Sequence, residues 1–225
     1  MTSSVESLIP ELLTMEKSFQ YKLNDIKKNI IIMLINRNFI DKINEEKYTK
    51  KLIDDMNDEQ EYIINLDNST NYNTTILSKR IYLKIFDYKI NSINKNSPIG
   101  EFITKFYNEY KIILVEDINQ KSENIIENYK IPCEIFKNHQ LMINIVEHDM
   151  VPKHEILSQE QGEKVLQTYC ARKKDMPLIS TSDPVAKYYN IKIGNIVRIT
   201  RPSFMTVESI FYRIAVKINL TKAKT

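Results

Sequence analysis

Glu116 and Asp117 are the acid pair best placed for catalysis in this sequence, because they follow a compact apolar run, KIILV, that reads as a buried strand. Carboxylates at the end of such a strand are where a metal-dependent nuclease can hold its cation. That reaction also needs a further acid and a Lys at matching spacing, and neither is evident, so solvated loop acids are the favoured reading. His148 and His154 bracket an extended stretch that also carries Asp149 and Glu155. These groups could bind a metal, but no Cys or third His lies nearby. Hydrogen bonding at a junction between two units is favoured, and no metal is expected. Cys133 and Cys170 stand in an apolar strand and at a helix end, where thiols act as small buried hydrophobes. Arg172, Lys173 and Lys174 could grip phosphate, yet such a trio more often is a solvated helix end complementing the dipole. Tyr188 and Tyr189 could stack on a base, though core packing suits the end of a capped helix better. With three Gly in the chain, no phosphate-cradling loop can be built. There is no nucleophile elbow and no HExxH. No catalytic residue and no cofactor is expected.

The elements that would position these groups follow from hydrophobic spacing. Leu23, Ile26, Ile30, Met33, Leu34 and Arg37 recur at three-and-four intervals, which predicts an amphipathic helix. A second helix covers Glu45 to Met56, with Tyr48, Leu52, Ile53 and Met56 on one side. YIINL (62–66) and RIYLKIFDY (80–88) read as strands separated by an Asn/Thr-rich turn at Asn68 to Asn73. Ser97 and Pro98 open a helix that Phe102, Ile103, Phe106 and Tyr110 continue. KIILVE (111–116) is a buried strand, 119–129 is helical, CEIFK (133–137) is extended, and LMINIV (141–146) is another strand. This is an α/β order, with a partly parallel sheet expected. Further on, Ser158 and Gln161 make a capping box ahead of Val165, Leu166 and Tyr169 on one face. Asp183 caps, and Pro184 opens, a short helix through Tyr189. Turns at Asn190 and Gly194 lead to IVRITRP (196–202) and SIFYRIAV (209–216), two strands that can pair antiparallel across a 201–208 loop. This second, α+β unit of about 70 residues is large enough to fold alone.

Composition agrees with two globular units. The chain has 225 residues, 42% hydrophobic and 27% charged, and 32 basic against 29 acidic side chains leave a net charge of only +3. That excludes a nucleic-acid binder acting through bulk charge alone. The charge is divided, however: residues 1–147 hold 19 basic and 22 acidic groups (19 − 22 = −3), and residues 148–225 hold 13 and 7 (13 − 7 = +6). The boundary falls near Glu147, giving units 1–146 and 147–225. Two Cys exclude a disulfide scaffold and fit a reducing compartment. The N-terminus has no basic head followed by an apolar core, and the run Asn29 to Ile35 is far short of the roughly 18 residues of a membrane span. An intracellular protein without membrane attachment is expected. Heavy use of Ile, Asn and Lys reports an AT-rich genome.

The segment from Leu141 onward resembles the C-terminal domain of the fifth subunit of DNA-directed RNA polymerase, which eukaryotic polymerases I, II and III share and which has a shorter archaeal counterpart. EHDMVPKH (147–154), SDPVAKYY (182–189), VRITRPS (197–203) and YRIAV (212–216) carry the likeness in order and spacing. NDIKKNIIIMLINRNFI and SPIGEFITKFYNEYKIILVE are similar to the first helix and the helix-strand unit of the eukaryotic N-terminal jaw. The resemblance implies an α/β jaw over 1–146, a mixed sheet with flanking helices in a nuclease-like fold without an active site, with an N-terminal extension over 1–14. It implies a small α+β assembly domain over 147–225.

The implied function is a non-catalytic subunit that docks on the largest polymerase subunit, with the rest of the core as further partners and the jaw near downstream duplex DNA. The interface expected from this is His148, Pro152, His154, Arg198, Arg201, Pro202, Ser203, Phe204, Met205, Tyr212 and Arg213. Alternation puts Arg198, Arg201 and Arg213 off the apolar faces of their strands, and Phe204 and Met205 sit in the tip loop between the last two strands. Ser158, Asp183 and Pro184 are structural caps. Lys121 and Ser122 occupy the family's DNA-proximal loop, which here lacks the Pro of the family's Thr-Pro-Ser pattern. A family glycine position is matched by Val207, so a turn needing positive φ is expected to change shape. The alternatives are a free basic DNA-binding transcription regulator and a metal-dependent nuclease-like enzyme. A large DNA virus with its own polymerase, acting in host cytoplasm or virion, fits the composition, as does an AT-rich protist with a nuclear one.

Overall fold

The computed structural model describes residues 19–55, 60–68, 76, 79–94, 96–128, 132–203 and 207–217. Helix α1 (Phe19–Asn36) buries Leu23, Ile26, Ile30, Met33 and Leu34 along one stripe, the outcome that its apolar spacing dictates. It ends where Asn38 turns into the left-handed region at φ 62°, which sends the fully buried Phe39 into the core. Helix α2 (Glu45–Asp54) carries Glu45 and Glu46 in its first turn and Lys51 in its last, matching the helix dipole. Met56 and most of the expected 68–73 turn lie outside the described residues.

Strands β1 (Glu61–Asn65) and β2 (Arg80–Ile90) pair antiparallel. Helix α3 (Pro98–Lys105) follows, with the Ser97 hydroxyl accepting from the Gly100 amide. Strand β3 (Tyr110–Ile118), helix α4 (Gln120–Asn128), strand β4 (Cys133–Lys137) and helix α5 (Asn138–Leu141) complete the first half. The sheet order is β1-β2-β3-β4, with β2/β3 and β3/β4 parallel. Residues Tyr110 to Val115 are all buried, as a parallel strand covered on both faces requires. Ile112 and Leu114 pack with α1, while Ile113 and Val115 pack with Phe102 and Ile126 on the opposite side.

Two expectations fail here. Helix α3 stops at Lys105 and Tyr110 opens β3, because the wholly buried Lys111 ammonium donates to the carbonyls of Phe106, Tyr107 and Glu109. Burial pushes its pKa down, with Cys133 and Glu109 acting the other way. LMINIV is not a strand: α5 ends at Leu141 and a single 3-10 turn spans Ile145–Glu147. Leu141 is buried in the α1 core, Met142, Ile145 and Val146 pack on the same cluster, and Asn29 donates to the Leu141 carbonyl at 2.8 Å. A six-residue apolar run has no period that separates strand from buried helix.

The second half is built on β5 (Lys153–Ile156), α6 (Gln159–Thr168), β6 (Leu178–Ser180), α7 (Pro184–Tyr188), β7 (Ile196–Ser203) and β8 (Val207–Val216). Its sheet order is β5-β7-β8-β6, with β7 antiparallel to both neighbours and β6 parallel to β8. The caps lie where spacing puts them. Ser158 and Gln161 bond reciprocally, and Asp183 accepts from Val185 and Ala186 ahead of Pro184. Gly162 lets α6 settle on β7, since a Cβ there would stand 3.2 Å from Ile196.

Other expectations change. Tyr169 ends α6 as an exposed residue, its ring 5.8 Å from that of Tyr212, instead of joining the core. Cys170 is exposed in a left-handed turn at φ 50°, so only Cys133 is a sheltered thiol, with its pKa pushed by burial up to about 12. Val207 has φ 63° although it is β-branched, so a left-handed conformation is held here at the cost of strain. Pairing runs out to Ser203 and Val207, so the connection is shorter than 201–208.

Candidate functional site

The β7–β8 hairpin is covered at one end and bare at the other. Paired residues share a face, so His154, Ile199 and Phe211 lie on one side with Val197, Arg213 and Arg201. Glu155, Arg198 and Tyr212 lie on the other with Ile196 and Ile214. Helix α7 covers the first face, where Ala186 packs with Val197, Ile199 and Ala215. Helix α6 covers the second, where Leu166 packs with Ile196, Ile214 and Tyr212. The three arginines therefore do not share a solvent face: Arg198 and Arg213 lie half-buried on faces that a helix covers, and only Arg201 is exposed beyond the helices.

Beyond the helices the hairpin shows unpaired apolar surface. Val207, Ile210 and Phe211 are 82%, 48% and 49% exposed. The Arg201 guanidinium stands 5.4 Å from the Phe211 ring centre, and Pro202 is exposed with Ser203 half-buried beside it. Arg198 pairs with Glu155 at 3.2 Å across β7 and β5, and Lys153 reaches the same carboxylate at 2.9 Å. The Lys153 bond, with Arg198 nearby, lowers the Glu155 pKa against the effect of burial. His154 is half-buried and its Nδ1–H donates to the Pro152 carbonyl at 2.7 Å. Burial, reinforced by Arg201 and Arg213, outweighs that bond and Asp183 and holds the imidazole below its ordinary pKa. His148 is exposed and accepts from the Met150 amide. Phe204 and Met205 lie outside the described residues.

The expected DNA-proximal pair separates. Lys121 is exposed on the first turn of α4, but Ser122 is buried, with its hydroxyl donating to the Asn91 carbonyl at 3.3 Å. The Ser122 hydroxyl thus fastens α4 to the residue that follows β2 and does not face solvent. Asp117 lies within β3, held at 2.8 Å by Lys89 and at 2.8 Å by Lys137, and these two ammonium groups draw its pKa far below the carboxylate range. Of the two acids weighed for a nuclease, Asp117 is thus occupied by cations of its own sheet, while Glu116 is exposed. Among the described residues no cluster of His, Cys, Asp and Glu could hold a metal ion, and no helix is long and apolar enough to cross a membrane.

Arg37, which spacing marks only as a member of the first helical stripe, follows directly on the last residue of α1. Arg37 is 2% exposed, and its guanidinium holds both Glu134 oxygens (2.9 and 2.8 Å) and the carbonyls of Tyr188 and Lys187 (2.7 and 3.0 Å). Its signal was a cation at an apolar position of the α1 stripe.

Comparison with known proteins matches residues 143–215 to the family model described as RNA polymerase Rpb5, C-terminal domain. Subunit 5 of the DNA-directed RNA polymerase of Acanthamoeba polyphaga mimivirus is 30% identical over 213 residues, covering 91% of this chain and 97% of that protein. The chain belongs to the RNA polymerase subunit 5 family. The rpabc1 subunit of RNA polymerases I, II and III from Dictyostelium discoideum is 27% identical over 87% of the chain and 98% of its own length. The Rpo5 subunit of Archaeoglobus fulgidus is 42% identical over 76 residues, which is all of that protein but 34% of this chain. The subunit 5 family model spans β5 to β8, and hence His148, Pro152, His154 and the described hairpin residues. Arg37 and Glu134 lie outside it.

Proposed function

We propose that this chain is a non-catalytic subunit of a multisubunit DNA-directed RNA polymerase, with 147–225 docking on the largest subunit and 1–146 serving as a jaw beside the downstream duplex. The observation that carries the docking end is the bare hairpin terminus. Phe211 is exposed beside Arg201, with Val207 exposed at the tip and Ile210 exposed on the opposite face, within a unit whose two helices are already used in covering the other end of the same sheet. Aromatic groups and Arg are the side chains that protein interfaces favour at their centres. Arg201, Arg213, Pro202 and Ser203 frame this surface, and Tyr212 and Arg198 flank it on the α6 side. Phe204 and Met205, in the same connection, belong to the proposed contact.

The nuclease-like reading of the jaw is supported by its mixed sheet with helices on both faces. With Asp117 bound by two lysines, one of the two acids that a nuclease would use is already paired within its own sheet. Contact with DNA rests on Lys121 and is weak, because phosphate affinity requires clustered cations. The site of action is wherever that polymerase transcribes: the cytoplasmic factory or virion of a large DNA virus, or a nucleus. Affinity tagging of the chain tests the reading. The two largest polymerase subunits are expected to co-purify, and replacing Phe211 by Glu should cut their recovery about tenfold or more. Recovery of the chain alone would contradict it.

A further inference from the structure

The same guanidinium that closes the core of the first sheet also closes the last turn of a helix in the second. Helix α7 has five residues, too short to satisfy its own terminal carbonyls. The Lys187 and Tyr188 carbonyls are taken by Arg37 Nη2 at 3.0 Å and Nε at 2.7 Å, while the remaining bonds of the guanidinium go to Glu134 on β4. One side chain thus binds the end of α1, an edge strand of the first sheet and the helix that covers the docking hairpin. Weaker ties surround it: Asn36 donates to the Tyr188 hydroxyl at 2.8 Å, Asn190 donates to the Tyr110 hydroxyl at 2.8 Å, and Lys187 pairs with Glu123 at 2.7 Å. Tyr110 in turn donates to Glu134.

From this we infer that Arg37 is a positioning residue that locks the jaw to the docking unit, so that the two sheets move as one body. Arg is suited to this because its planar fork meets a carboxylate with two parallel bonds and still has donors for carbonyls, which a Lys ammonium cannot do from one place. The other end of α7 carries Asp183, close enough to His154 to influence its charge, so α7 leads directly from Arg37 to the docking surface. Resting on the subunit reading above, the inference gives the lock a purpose. The direction of the jaw over DNA is set by where the hairpin is seated on the polymerase.

Pulsed electron-spin distance measurement on the full chain tests the lock. Labels go on the exposed native Cys170 and on Ile43→Cys, which is 96% exposed on the jaw side, with Cys133 replaced by Ala. A narrow distance distribution is expected for the parent, and a distribution at least twice as wide for Arg37→Met and Arg37→Lys. Should Arg37→Met not fold, Arg37→Lys and Glu134→Gln carry the comparison. Folded Arg37→Lys and Glu134→Gln chains that both keep the parental width would overturn the lock. In purified polymerase, Arg37→Lys should leave recovery of the largest subunits unchanged and blur the downstream edge of the DNA footprint. A sharp, unshifted edge would also count against it. Failure of the parent chain to recover polymerase would contradict the subunit reading while leaving the spin-label comparison intact.

Discussion

The two sheets handle their exposed ends in different ways. In the first, β3 is buried from Tyr110 to Val115, with apolar side chains packed on both faces. Its buried cations are each accounted for: Lys111 by three carbonyls, Lys27 by the Tyr62 ring at 4.3 Å, and Arg37 by Glu134 and two carbonyls. In the second, α6 and α7 cover half the length of the β7–β8 ladder, and the rest ends in exposed Val207, Ile210 and Phe211. An exposed apolar cluster on a small unit marks a surface that a partner covers. Ile63 in β1 and Tyr88 in β2 are also 52% and 47% exposed, so the contrast lies in the cover of the central strands: β3 is enclosed on both faces, whereas the β7–β8 ladder runs on past its helices, as a docking unit would need.

That contrast can be broken at Arg37. Arg37→Met leaves Glu134 inside the junction without its partner and strands two carbonyls, and it should lower the stability of the full chain by about 3–5 kcal/mol in urea unfolding. A loss below about 1 kcal/mol would mean that water replaces the guanidinium. Leu114→Ala, at a fully buried position of β3, should cost about 2–5 kcal/mol. Ile210→Ala on the bare hairpin should cost no more than about 0.5 kcal/mol in the isolated chain. Equal costs at the two positions would erase the proposed difference between the sheets.

Smaller effects sharpen it. Asp183→Ala removes the cap of α7 and should cost about 1 kcal/mol. Val207→Gly should stabilise the chain by about 0.5–1 kcal/mol, because relief of the left-handed strain exceeds the entropy glycine adds to the unfolded chain. A destabilised glycine variant would show that the Val side chain makes contacts worth more than its strain. The weakest effect is on pH dependence. His154 has a folded pKa below its ordinary value, so the unfolded chain binds the extra proton first. Its contribution is fully present above about pH 6.5 and is lost as pH falls from there through the lowered folded pKa. His154→Gln should flatten the melting temperature across that window and leave unchanged the slope below about pH 4.5, where Glu61 and Glu155 titrate.

Much of this organisation is legible in the residues. The caps at Ser97, Ser158 and Asp183 are local chemistry, and β3 announces itself because its unbroken apolar run admits few other structures. Strands β5 and β6 were not legible: with four and three residues at sheet edges, they have no pattern apart from their pairing. Arg198 and Arg213 depart from alternation, because alternation assumes one wet face and this sheet has a helix on each. Arg37 could be flagged as a charge in an apolar stripe, but its partners lie 97 to 151 residues away. Ser122 shows the opposite case, a loop position transferred by likeness that is a buried anchor within α4 in this chain.

The most direct test of the docking surface joins assembly to stability at one position. Phe211→Glu, introduced into the tagged full-length chain, is expected to reduce recovery of the two largest polymerase subunits about tenfold or more while shifting the melting temperature of the isolated chain by less than about 2 °C. Undiminished recovery, or lost recovery that simply follows a collapsed melting temperature, would contradict the claim that the bare hairpin end is the docking surface.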